Sequence, residues 1–363
     1  MSSDRLAEKA AFLTAAGLAK ARREPLAGDA STRAYERLFL PSGETLIFMD
    51  QPPAAETHPC PPGATAEERA ALGYNALARL AAGRVEAFVA CAAYLKDRGL
   101  SAPAIIASDA EAGLAVIEDL GDGLFASLIA AGEDERPLYD AAIDALVTLH
   151  AEPPPNVLMA KGASWSLLDY DAVALKTAHD LFIDWLPKLY PTVSFDDDAR
   201  TEWEAVWAPI RARGEAGATV FCHRDYHAEN LIWLPDRKGA ARVGLLDFQD
   251  AVRAHPAWDL SMLLHDARRQ ITPELEARSL DRYFAARPKV DREAFEADYA
   301  ALGALNISRI LGIFARLVAR DSKPRYAAFM PRMWAYLDRA VAHPSLAALA
   351  AFLERQVPGE VRG

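Results

Sequence analysis

Cysteine is scarce in this 363-residue chain. Cys60, Cys91 and Cys222 are odd in number and lack CxxC spacing, which excludes a disulfide framework and a cysteine-based zinc site and implies a reducing compartment. Long hydrophobic runs are missing too: none approaches the roughly 18 uninterrupted apolar residues of a membrane span. Positive charge is not in excess. The net charge of -11 argues against nucleic acid as the main partner. The chain opens Met1-Ser2-Ser3-Asp4-Arg5 and continues into an alanine-rich amphipathic segment carrying Glu8, Lys9 and Lys20. A secretory signal needs a continuous apolar core instead. Internal repeats and low-complexity tails are absent. The expectation is a cytoplasmic protein with no nucleic-acid or membrane partner and no obligate protein partner evident.

What is present describes an ordinary globular protein, 52% hydrophobic and 25% charged, whose length suits two lobes. Apolar spacing predicts a helix over residues 3–20, then β-prone runs at Tyr35 to Leu40 and Thr45 to Asp50 joined as a hairpin. Five prolines between residues 51 and 63 rule out regular structure there. A short helix is expected over 65–82 and a longer one over 84–98, stopped by Gly99 and followed by Pro103. Ala104 to Ser108 and Leu114 to Asp119 read as further strands. After about residue 122 helical patterns dominate, up to a last one over 324–353. They are interrupted once, by Thr219 to Cys222, Leu231 to Leu234 and Val243 to Leu246. The fold class that follows is α+β and bilobal: a β-rich N-lobe over 1–121 with an insert near 54–83, then a helical C-lobe over 122–363.

One stretch does not read as packing. "CHRDYHAEN", residues 222–230, gathers two histidines, an arginine, two acids and an asparagine between two strand-like runs. Beyond it, "VGLL" leads into Asp247-Phe248-Gln249-Asp250. A strand ending in a carboxylate, near a loop offering Asp and Asn, suits magnesium, which takes hard oxygen ligands and shares its shell with phosphates. A carboxylate left free of metal can orient an attacking hydroxyl and accept its proton. A lone Asp-Phe-Gln means nothing and a lone HxD is common by chance. The joint pattern is far more specific, and its bland alternative is a set of polar residues capping turns.

On "HRDYHAEN", "GLLDFQDA" and "HPAWDL" the chain resembles the aminoglycoside phosphotransferase and choline kinase group, which shares the protein-kinase fold. The resemblance implies that Asp225 is the catalytic base, that Asn230 and Asp247 bind Mg2+, that ATP is the donor, that His223 supports the loop and that Asp259 braces it. A closer likeness, to the cell-wall amino-sugar kinases of that group, runs through "GDASTRAYERL" (28–38), "LIFMDQPP" (46–53), "VIEDLGD" (116–122), "HRDYHAENLI" and "RILGIFARL" (309–317). It implies transfer to the anomeric hydroxyl of N-acetylmuramate or N-acetylglucosamine. The nucleotide is then expected at Asp29, Ser31 and Arg33 in a phosphate-covering turn and at Glu118 and Leu120 in a hinge.

The kinase fold usually carries a lysine on the strand that here reads Leu46 to Asp50, and this strand has none. Another cation, with Arg33 the first candidate, has to meet the phosphates. For the acceptor the candidates are His227 beside Asp225 and, on the helix over 301–319, Arg309 and Arg316 near a lactyl carboxylate; snorkelling arginines are the alternative. His150, His255, His265 and the tryptophans are read as structural. An aminoglycoside, choline or homoserine acceptor, or an inactive kinase-like binding protein, are the competing functions.

Overall fold

The structure, a computed structural model, describes residues 3–26, 33–52 and 58–362. The expected Asp29 and Ser31 therefore lie outside the described residues. The chain forms two compact units. The first comprises residues 1–133, 155–167 and 229–251, the second residues 134–154, 168–228 and 252–363. The lobes expected from sequence were continuous stretches meeting at 121/122; the compact units instead interleave, because two later segments return to the first.

In the first unit, five antiparallel strands form one sheet in the order β1-β2-β3-β5-β4: β1 (Arg22–Pro25), β2 (Ala34–Phe39), β3 (Thr45–Asp50), β4 (Ile105–Asp109) and β5 (Leu114–Glu118). Strand β1 has no apolar alternation to announce it and is an exposed edge. Alternation in β2 and β3 sends Leu38 and Phe48 to a face covered by the helix Ser3–Ala15, where they pack with Leu13, Leu114 and Val116. Lys9 of that helix is buried there between Glu36 and Asp50, 2.9 Å from each. It serves the sheet's own charges on that face.

The expected 65–82 helix is two helices, Ala66–Leu72 and Tyr74–Ala78. Thr65 and Glu68 close a capping box at the start, and Gly73, at φ 98°, breaks the run. Arg69 is buried and donates to the Ala76 and Leu77 carbonyls, which fixes the bend. Strands β6 (Val157–Ala160) and β7 (Ala163–Ser166) form a hairpin that the sequence reading missed, so the helical stretch is interrupted more than once. The β6–β7 hairpin and the insert line a cavity of about 600 Å³, with Cys60, Leu72, Arg84 and Trp165 on its wall.

The second unit is helical around Arg292–Ala319, whose Phe295, Leu302, Leu305, Ile307, Leu311 and Phe314 are buried. That helix is long and apolar enough to cross a membrane by length and composition, yet 72% of its most apolar window is buried inside the protein. Trp203, Trp207, Trp258 and Trp334 are fully buried core residues, as expected. The last helical pattern divides into Met330–Val341 and Ala347–Gln356, separated by Pro344.

Close approach of Arg292–Ala319 to the helix Ala172–Leu189 requires Gly312: a Cβ there would run into the backbone carbonyl of Leu181. Backbone cannot rotate away as a side chain can. Gly312→Ala should therefore destabilise the protein by about 1–3 kcal/mol or more, read as a lower urea midpoint, despite the better helix propensity of alanine.

Candidate functional site

The polar loop hangs from β8 (Val220–Cys222), which pairs with β11 (Val252–Ala254) in the second unit. Its shape is unusual. Arg224 has φ 79°, one of five non-glycine residues with positive φ among those described, a conformation that costs energy and persists only where neighbours enforce it. Asp259 is the enforcer. Fully buried on the helix Ala257–Leu264, its carboxylate accepts from His223 N at 2.7 Å, Arg224 N at 2.8 Å and Cys222 Sγ at 3.1 Å. Trp258 Nε1 reaches the Arg224 carbonyl at 3.4 Å, Tyr226 donates to the Ala142 carbonyl at 2.8 Å, and the Arg224 guanidinium stacks over Tyr170. His223 is buried within this frame.

His150 is buried behind Asp259, with Nδ1 3.0 Å from Tyr283 Oη and Nε2 3.9 Å from the carboxylate. Burial pushes its pKa below the usual histidine value and keeps it neutral. Burial would raise the Asp259 pKa, but the neighbouring His150 and His223 and the Cys222 thiol outweigh this and hold it below the usual carboxylate range.

Asp225 follows Arg224 and keeps a partly exposed side chain, 29%. Arg309 Nη2 lies 3.6 Å from its Oδ1. His227 is half-buried on the same loop, its N–H donating to the Asp225 carbonyl at 3.1 Å. Arg316 is seven residues further along the Arg309 helix, about 10 Å along its axis, and contributes to the field that lowers the Asp321 pKa.

The other half of the motif belongs to the first unit. Strands β9 (Leu231–Trp233) and β10 (Val243–Leu245) pair antiparallel with Leu231 opposite Leu245. Asn230 immediately precedes β9 and Asp247 closely follows β10, so the ribbon brings both to one end, and Leu246 N donates to the Asn230 carbonyl at 2.9 Å. Asp247 has φ 60°, a second strained residue in a motif singled out from sequence.

Arg33 meets Asp247 directly. Its Nη2 donates to Asp247 Oδ1 and its Nη1 to Gln249 Oε1 at 2.7 Å, while Gln249 Nε2 donates to the same Oδ1 at 3.1 Å. Burial works against the Arg33 charge, but Tyr35, Asp247 and Asp250 push its pKa up, and it stays cationic. Asp250 accepts from Ala81 N at 2.6 Å. The insert thus grips the segment beyond Asp247. Sequence reasoning passed over Gln249, Asp250 and this grip; the only signal was the polar run in "DFQD".

The remaining candidates are placed as follows. The Glu118 carboxylate accepts from Ala104 N at 3.0 Å and Arg237 Nη2 at 2.6 Å, and its own backbone N–H donates to the Ala104 carbonyl at 2.8 Å. Leu120 is buried against Gly244. Arg37 on β2, a near neighbour of Arg33 in sequence, is tied to Asp119 and Asp122.

Two oxygen donors at one ribbon end fit a magnesium ion, which binds through one or two carboxylates plus phosphate and water. Among the described residues no group of three His, Cys, Asp or Glu side chains forms an all-protein cage.

Residues 22–294 match the phosphotransferase enzyme family. Over 362 residues the chain is 68% identical to a protein of Caulobacter vibrioides named N-acetylmuramate/N-acetylglucosamine kinase, covering 100% of this chain and 99% of that one. A Pseudomonas aeruginosa protein of the same name is 29% identical over 91% of this chain and 87% of its own. Among solved structures, choline kinase LicA from Streptococcus pneumoniae superposes with a TM-score of 0.53 at 18% identity, over 94% of this chain and 99% of that one. That likeness shows the expected protein-kinase-like α+β fold.

The site's frame makes stability depend on pH. The His150 pKa in the folded protein is below its unfolded value of about 6.5, so below that pH the unfolded chain takes up a proton that the folded one refuses. Stability should be full near pH 7.5 and fall on acidification through about pH 6. In His150→Gln the slope should flatten, leaving the share of His179, shifted the same way by burial. Urea titrations between pH 5 and 8 measure both.

Proposed function

The chain belongs to the phosphotransferase enzyme family, and we propose that it moves the γ-phosphoryl group of ATP to the anomeric C1 hydroxyl of N-acetylmuramate and N-acetylglucosamine. The observation that carries the chemistry is the ribbon holding Asn230 and Asp247 together at one end. Full-length similarity to proteins named for these two sugars supports the acceptor. The cytoplasm, and recycling of cell-wall sugars, are the setting this reading implies.

In this proposal Asn230 and Asp247 hold Mg2+, which when bound neutralises charge on the nucleotide phosphates. Asp225 aligns the sugar hydroxyl and takes its proton. The sugar oxygen forms a bond to the γ-phosphorus as the bond from that phosphorus to the β,γ-bridging oxygen breaks, and ADP leaves with the electron pair. An anomeric hydroxyl is more acidic than an ordinary alcohol, so a carboxylate suffices as base.

Arg33 takes the part of the missing strand lysine: it already sits on Asp247 and, as a permanent cation, can turn to the phosphates when nucleotide and metal arrive. Asp29 and Ser31, together with Glu118 and Leu120, complete the nucleotide side. His227 and Arg316, with Arg309, face the acceptor. Arginine beside Asp225 favours an anionic or neutral acceptor over a cationic one such as an aminoglycoside or choline.

Asp225→Asn should lower turnover by roughly 10² to 10⁴-fold while nucleotide affinity stays near that of the parent. Near-normal turnover would also be incompatible with the base assignment. Asp247→Ala should instead raise the magnesium concentration needed to bind a nucleotide analogue, read by calorimetry. An unchanged metal dependence would remove Asp247 from the ligand set. Phosphorus NMR of the product should show an acid-labile C1 phosphate, and a stable phosphate ester would move the reaction to another hydroxyl.

A further inference from the structure

A cation that faces Asp225 comes from far along the chain. Arg309 leaves a face of the helix Arg292–Ala319 whose neighbours Ile310 and Leu311 are buried. Its side chain is 11% exposed, and its guanidinium lies 6.0 Å from the Trp258 ring centroid. Trp258 in turn holds the carbonyl of the strained Arg224. Trp258 therefore touches both the Arg309 guanidinium and the backbone that immediately precedes Asp225. The 3.6 Å separation from Asp225 Oδ1 exceeds the roughly 2.7–2.9 Å of a charge-assisted hydrogen bond. At that distance the two opposite charges attract each other.

We propose that Arg309 is a positioning residue for phosphoryl transfer: it fixes the orientation of the Asp225 carboxylate toward the acceptor hydroxyl, whichever sugar is bound. The proposal rests on Asp225 as the base. A carboxylate on a loop has several side-chain rotamers, and a misplacement of about 1 Å at a reacting group can cost about 10²-fold in rate. A cation set into a core helix narrows those rotamers. Its guanidinium is always charged, so the effect does not switch off at working pH. Recognition of a lactyl carboxylate by Arg309 would have a different signature, because only N-acetylmuramate carries that group.

The test compares Arg309→Ala, Arg309→Lys and Arg309→Gln in the parent and in an Asp225→Asn background, with both sugars and with melting temperature and nucleotide affinity measured for each. In the parent, Arg309→Ala should lower kcat about 10²-fold on both sugars, with KM within a few-fold and nucleotide affinity unchanged. Arg309→Lys should regain part of the loss, because an ammonium can face the same carboxylate; Arg309→Gln, similar in size but neutral, should not. In the Asp225→Asn background Arg309→Ala should cost little more, since residues acting as a unit are not additive. A loss confined to N-acetylmuramate, equal activity of the Lys and Gln variants, or an undiminished loss in the Asp225→Asn background would each overturn the proposal. Should Arg309→Ala fold poorly, the Lys and Gln pair decides. Failure of the base assignment is separately visible, as normal turnover of Asp225→Asn with Arg309 intact.

Discussion

The buried carboxylate of Asp259 is the constraint on which the polar loop over residues 222–230 depends. Two backbone N–H groups and a thiol converge on it, and without it those buried donors would lack partners, at about 1–3 kcal/mol each. The same bonds enforce the positive φ of Arg224. A loop that must present Asp225 outward cannot also satisfy its own backbone by regular pairing. Asp259 supplies the missing acceptor from the core, and burial keeps His150 behind it neutral.

Each unit carries one arginine–carboxylate pair among its candidate residues. Arg33 faces Asp247 in the first, and Arg309 faces Asp225 in the second. The kinase-like strand lysine is absent, and the buried Lys9 serves Glu36 and Asp50 instead. The planar fork of an arginine can hold a carboxylate and an amide together, as Arg33 does with Asp247 and Gln249. An ammonium would present a single point of charge.

The insert shows how a segment without obvious chemistry can bear on a site. A capping box, a glycine break and a buried arginine give it a defined path, and that path ends with Ala81 N on Asp250. Gln249 spans Asp250 and Asp247. Any change in the insert that moves Ala81 is transmitted to the strained Asp247 through these bonds.

Periodicity and punctuation in the sequence determined the α+β class, most helices and strands, and the two short motifs, because these features are written in residues close together in the chain. The hairpin β6–β7 and the edge strand β1 escaped, since neither shows the alternation that half-burial imposes on a strand. The neighbouring positions of Asn230 and Asp247 needed only an antiparallel ribbon, a local device. Which arginine meets which carboxylate was beyond reach of the sequence. Residues 33 and 247, or 225 and 309, share no spacing that encodes their approach, and a snorkelling arginine has the same helical pattern as one aimed at the polar loop. Only packing against Trp258, and of the sheet's loops against Asp247, decides where each guanidinium ends.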